Sequence, residues 1–205
     1  MIKLYYFSIL VLFTTSCASV SQYQTAKPMG EDNISHRISL NGNVQENGEG
    51  AILPFIAEYG INYGVTSNLD IIGKLNMFGS WSIGGKYSFL GGEGSNTYLA
   101  IGPTMNYFGK ILNFTVPLHF TIEPNDVFSF TLTPSYTTPG LYKIDENSNK
   151  YYRDINSGFI GLSPYIEVGK KVKFIFGCNL TFSNSHTYTD FGFGVKFNNF
   201  ASMKD

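Results

Sequence analysis

The side chains best suited to chemistry are few: three histidines and two cysteines. His186 stands near Ser183, Ser185 and Asp190, the residue types of a base-activated nucleophile. Ser185 and His186 are adjacent, so an extended backbone sends them to opposite faces. A solvated loop histidine is expected there, and no catalytic residue. His119 lies among Thr and Glu positions of one strand and reads as an internal hydrogen-bond partner. His36 stands near the start of another strand, at an interface. No cluster of His, Cys, Asp and Glu has the spacing of a metal-ligand set. The pairs Gly84-Gly85 and Gly91-Gly92 precede no helix, so they are not phosphate loops. No cofactor is implied. A net charge of -1 gives no argument for nucleic acid as a partner.

Cys17 is the remaining candidate. Lys3 precedes an apolar run, Leu4 to Phe13, and small residues Thr14 to Ala18 follow. This is the plan of a secretory signal peptide over residues 1–16. The run is about half of what a membrane-spanning helix requires. A Cys in this place resembles a bacterial lipobox, so lipidation of Cys17 is expected. Thr14 stands where that pattern favours Leu, and the competing reading is cleavage after Ala18. Residues 17–32 are polar and without periodicity, which reads as a tether. Cys178 sits mid-strand on an apolar face.

Residues 33–200 are organised by a period of two. In Leu53 to Val65 the residues Leu53, Phe55, Ala57, Tyr59, Ile61, Tyr63 and Val65 form an uncharged apolar face. The same alternation recurs in Ile34 to Val44, Leu69 to Phe78, Ser80 to Leu90, Thr97 to Tyr107 and Ile111 to Glu123. It continues in Val127 to Tyr136, Gly158 to Gly169, Val172 to Phe182 and Tyr188 to Phe197. Short connections join most of these segments, and one long polar loop spans residues 137–156. The expected fold is all-β: a closed antiparallel up-and-down transmembrane β-barrel of about ten strands, with eight as the alternative count. Pro54, Pro103, Pro117, Pro134 and Pro164 fall inside these segments, and each removes a ladder donor.

Charged residues make up 14 % of the chain, against about 25 % in ordinary soluble domains. The apolar faces carry no Asp, Glu, Lys or Arg. The opposite faces are mostly Ser, Thr, Asn and Gly, with about one charge per strand, where a soluble exterior carries roughly a quarter to a third. Arg37, Glu58, Asp70, Lys74, Lys86, Glu123, Glu167, Lys173, Asp190 and Lys196 are near-balanced in sign, as a lumen charge network requires. Glu58 is expected to pair with Lys74 or Arg37. Ten or eleven residues at about 3.3 Å, tilted about 40–45°, span roughly 25 Å, the height of the apolar band in membrane barrels. Tyr and Phe near the strand ends would form its aromatic girdles.

The stretches YGINYGVTSNLDIIGKL, WSIGGKYSF and FGFGVKF resemble those of small outer-membrane β-barrel proteins of Gram-negative bacteria. The start CASVSQYQTAKPMGEDN is similar to that of barrel lipoproteins. The resemblance implies location in the outer membrane, with outer-membrane lipid and the barrel-assembly machinery as partners. It implies a non-enzymatic structural or surface protein, or a narrow porin-like pore. The loop 137–156 is the candidate for extracellular contact. Two alternatives stand beside this: an enzyme acting on lipid or peptide at the barrel rim, and a soluble periplasmic barrel lipoprotein binding an apolar ligand.

Overall fold

The computed structural model describes residues 22–45, 55–92, 94–108, 111–140, 158–183 and 187–198. Cys17, His186 and most of the loop 137–156 lie outside them. Eleven strands follow in chain order: β1 (Ile34–Gln45), β2 (Ile56–Gly64), β3 (Leu69–Asn76), β4 (Trp81–Leu90), β5 (Thr97–Ile101), β6 (Thr104–Phe108), β7 (Ile111–Asn125), β8 (Phe128–Thr137), β9 (Phe159–Val168), β10 (Val172–Phe182) and β11 (Thr187–Asn198). All pairings are antiparallel. β1 pairs with both β2 and β11, and the β3–β4 pairing closes the sheet on itself. β5 and β6 both lie between β4 and β7, so they are two segments of one stave. The result is a closed ten-stave antiparallel barrel.

The sequence reads Thr97 to Tyr107 as one strand; the structure breaks it at Gly102-Pro103. Pro103 has no N–H for the ladder, and Pro117 on β7 faces the same gap. The ladder survives partly there: Gly102 N–H donates to the Pro117 carbonyl at 3.1 Å, and Gly85 N–H to that of Pro103 at 3.2 Å. Alternation runs through the break, with Tyr98, Ala100, Gly102 and Thr104 all buried.

The faces are sorted as an inside-out barrel. On β1, Ser35, Arg37, Ser39 and Asn41 point inward and are buried, whereas outward Ile38 is 54 % exposed. Thr115, His119, Thr121 and Glu123 line β7 from within, and Phe114, Val116, Leu118 and Ile122 stand outside. Ser129, Thr131, Thr133, Ser135 and Thr137 line β8. The lining is held by cross-strand hydroxyl pairs, such as Thr115–Thr137 and Thr121–Thr131, both 2.8 Å. A soluble barrel with an apolar interior, one of the alternatives above, requires the opposite sorting. In the structure the apolar faces are the exposed ones.

Aromatic residues are exposed near the barrel ends, among them Phe55, Tyr63, Tyr87, Phe89, Tyr107 and Tyr136. Trp81 stacks on Tyr107 at 5.5 Å between ring centroids. His36 sits on this outer face, where its Nδ1 lies 2.6 Å from the Tyr59 hydroxyl. The connections β2–β3, β4–β5, β7–β8 and β9–β10 share one end of the barrel, and none exceeds six residues. The chain enters β1 at this short-turn end.

Candidate functional site in the barrel lumen

Residues 17–32 are expected to be a polar tether. From Gln22 onward, the structure places this segment inside the barrel instead. Gln22, Tyr23, Gln24 and Ala26 are each no more than 3 % exposed. The physical reason is simple. A polar lumen accepts the same Gln, Thr and Lys side chains that water does, so composition does not separate the two destinations. The segment turns inward at Gly30–Asp32, where Gly30 and Asp32 both adopt positive φ (79° and 59°). Beyond the turn, Asp32 N–H donates to the Gly64 carbonyl at 2.9 Å and the chain joins the ladder.

Inside, residues 22–29 form a strap held mostly by its own backbone. Lys86 Nζ donates to the carbonyls of Thr25 and Lys27, both at 2.8 Å, and to Asp70 Oδ2 at 2.8 Å. All three ammonium protons are thereby used. Arg37 donates to the Tyr23 carbonyl, and Ser88 Oγ to that of Ala26 at 2.7 Å. Ala26 N–H donates to Thr121 Oγ1 at 2.8 Å, and Met29 N–H to Asp70 Oδ1 at 3.1 Å. Lys27 pairs with Glu123 at 2.7 Å. Partial burial alone would lower the Lys27 pKa, but the Glu123 hydrogen bond and charge outweigh it and hold the ammonium above its ordinary value.

Two strap side chains dock in apolar notches of the polar lumen. Tyr23 packs with Tyr165 and Ile175, its ring edge-on to Tyr165 at 5.5 Å. Ala26 packs with Tyr98 and Ala100. Glycines of the wall make the remaining room. A Cβ on Gly177 would stand 2.8 Å from Tyr23 Cε1, one on Gly192 would collide with the Tyr23 hydroxyl, and one on Gly64 with the Gly30 carbonyl. Notches and glycines together fit the wall to this segment.

The ten charged residues expected in the lumen are distributed as follows. Arg37 meets Glu58 at 3.3 Å, and Lys86 meets Asp70. Glu123, Glu167, Lys173 and Lys196 form a chain in which Lys173 lies 3.3 Å from Glu123 and 3.6 Å from Glu167, and Lys196 lies 3.1 Å from Glu167. Lys27 extends this chain at the Glu123 end. Lys74 is partly buried on β3, and Asp190 accepts from Asn179 Nδ2 at 3.5 Å on β11. His119 is fully buried, with Nδ1 3.0 Å from Thr133 Oγ1. Among the described residues no group of His, Cys, Asp and Glu is placed to hold a metal ion. Ser183 and Asp190 are described, but the His186 arrangement as a whole is not.

Sequence reasoning missed the strap and its seats. The signal was present: Tyr98, Tyr165 and Ile175 occupy inward positions where the alternation calls for polar residues. An apolar side chain facing a polar lumen requires an apolar partner within it.

No family model matches the chain, and none of the curated proteins does. Among solved structures, the NanC porin aligns with a TM-score of 0.51 and 7 % identity, over 78 % of this chain and 98 % of the porin. The translocator domain of the autotransporter NalP from Neisseria meningitidis aligns with a TM-score of 0.46 and 9 % identity, covering 94 % and 95 % of the two chains. The KdgM porin in complex with oligogalacturonate gives 0.38 and 10 %, covering 78 % and 98 %. At these identities the likeness to the NanC porin is one of fold: the chain is built as a closed membrane-type β-barrel.

Proposed function

We propose that the chain is an outer-membrane β-barrel protein without enzymatic activity. It is anchored in addition by a lipid on Cys17 and rests with its lumen closed by residues 22–29. The observation that carries this reading is the sorting of the wall. Phe55, Phe176, Phe191 and Ile83 are about half exposed or more, whereas Asp70, Lys86 and Glu167 are within 1 % of full burial. Water would favour the reverse arrangement, and lipid outside with a polar core inside favours this one. The porin-like fold supports the same reading. Outer-membrane lipid is then the partner of the apolar belt, and the barrel-assembly machinery is the route of insertion. Loop 137–156 joins the end opposite the short turns and so faces the cell exterior, available for contact there. The filled lumen favours a structural or surface role over a standing pore.

The test is extraction and gel migration of the protein from cells. The proposal expects release from the outer-membrane fraction by detergent only, and a folded form that migrates differently before and after heating. Recovery in the soluble periplasmic fraction contradicts it.

A further inference from the structure

We propose that residues 22–29 are a gate, and that the barrel they close is a narrow pore for ions and small polar solutes. The inference rests on the membrane-barrel reading above and adds an activity to it. Three observations carry it.

First, the strap takes no part in the ladder. Its links to the wall are chiefly hydrogen bonds from Lys86, Arg37 and Ser88 to its carbonyls, and breaking them undoes no strand pairing. A segment outside the ladder can open locally while the barrel stays folded.

Second, the wall stands without it. Arg37 keeps Glu58, Lys86 keeps Asp70, and Glu123 keeps Lys173 when the strap leaves. Two strap groups share wall carboxylates, half-exposed Lys27 on Glu123 and the Met29 amide on Asp70, and each carboxylate keeps a wall lysine when they leave. Withdrawal therefore strands no buried charge. The seats at Gly177 and Gly192 lose the Tyr23 ring that fills them.

Third, a pivot is built at the rim. The Gly30–Asp32 turn holds two left-handed residues, and Asp32 is the one non-glycine with positive φ among the described residues. Tyr63 Oη donates to Asp32 Oδ1 at 2.8 Å from the outer face, fixing the pivot while the strap moves.

The test uses protein purified from membranes and inserted into planar bilayers in potassium chloride. Wild type is expected to be closed, with brief openings. Deletion of residues 22–29 keeps the leader, Cys17 and the turn, and should raise the open fraction about tenfold or more. Gly192→Val places a strand-compatible side chain where the Tyr23 hydroxyl lies, with the Asn41 side chain of the wall turning aside, and should open the pore without deleting anything. A synthetic peptide of residues 22–29, added to the deletion variant, should close it again. If Gly192→Val and whichever deletion protein folds as a heat-modifiable barrel conduct no more than wild type, the gate is overturned. A wild type that stands open overturns it equally. If none of the proteins fractionates with membranes, the membrane reading itself has failed, which extraction reports independently of conductance.

Discussion

Lys86 and Asp70 are direct cross-strand partners on β4 and β3, with Nζ 2.8 Å from Oδ2 and essentially no solvent contact at either side chain. The same two residues reach the strap, Lys86 through two carbonyls and Asp70 through the Met29 amide. One ion pair thus joins wall to wall and wall to strap.

Removing one partner leaves a buried charge alone. Lys86→Met is expected to lower barrel stability by about 3–5 kcal/mol, and Lys86→Met with Asp70→Asn by clearly less. Urea unfolding of the purified variants in detergent measures both. Equal losses in the single and double variants would show that the charges do not act as a pair.

The outer face makes a second prediction. Leu40 sits midway along β1 and is 42 % exposed. Leu40→Arg should cost about 2–4 kcal/mol in a lipid bilayer. At a water-exposed surface, the same change is expected to stay within about 0.5 kcal/mol. Unfolding measured in lipid vesicles distinguishes the two.

The strap gives a third. Tyr23 Oη has no hydrogen-bond partner among the described residues, so at this position the ring and not the hydroxyl fills the seat. Tyr23→Ala should speed amide exchange at Ala26 and Met29 about tenfold or more, and Tyr23→Phe should leave it unchanged. Equal rates in wild type and Tyr23→Ala would show that the seat holds nothing.

A fourth concerns the exposed turn between β7 and β8. The Lys170 ammonium, 2.9 Å from Asp126, holds that carboxyl below its ordinary pKa. A depressed folded pKa contributes stability above the ordinary aspartate value, and that contribution is lost as pH falls through the depressed one. Both side chains are well exposed, so the effect is small and salt-sensitive. NMR titration should place the Asp126 carboxyl below the usual aspartate range, and Lys170→Ala should return it there.

The wall was legible in the sequence because one physical rule governs it. Period-two alternation and the absence of charge on one face fix strands such as Val172–Phe182, whose bounds match the expectation. The Gly102-Pro103 break was legible only in Pro103, which lacks a ladder donor, because the alternation passes through it unchanged. The strap was not legible either. Gln22 to Lys27 has no period, and a polar segment reads the same whether it meets water or a polar lumen. Tyr98, Tyr165 and Ile175 carried the sign of it, as apolar residues on the wrong face.

The central claim is that the strands themselves hold the protein in the outer membrane. The most direct measurement is fractionation of a Cys17→Ala variant, which lacks any lipid on that residue. The account predicts that the variant stays in the outer-membrane fraction, leaves it only with detergent, and keeps its heat-modifiable migration. A Cys17→Ala protein that is freely soluble in the periplasm would contradict it.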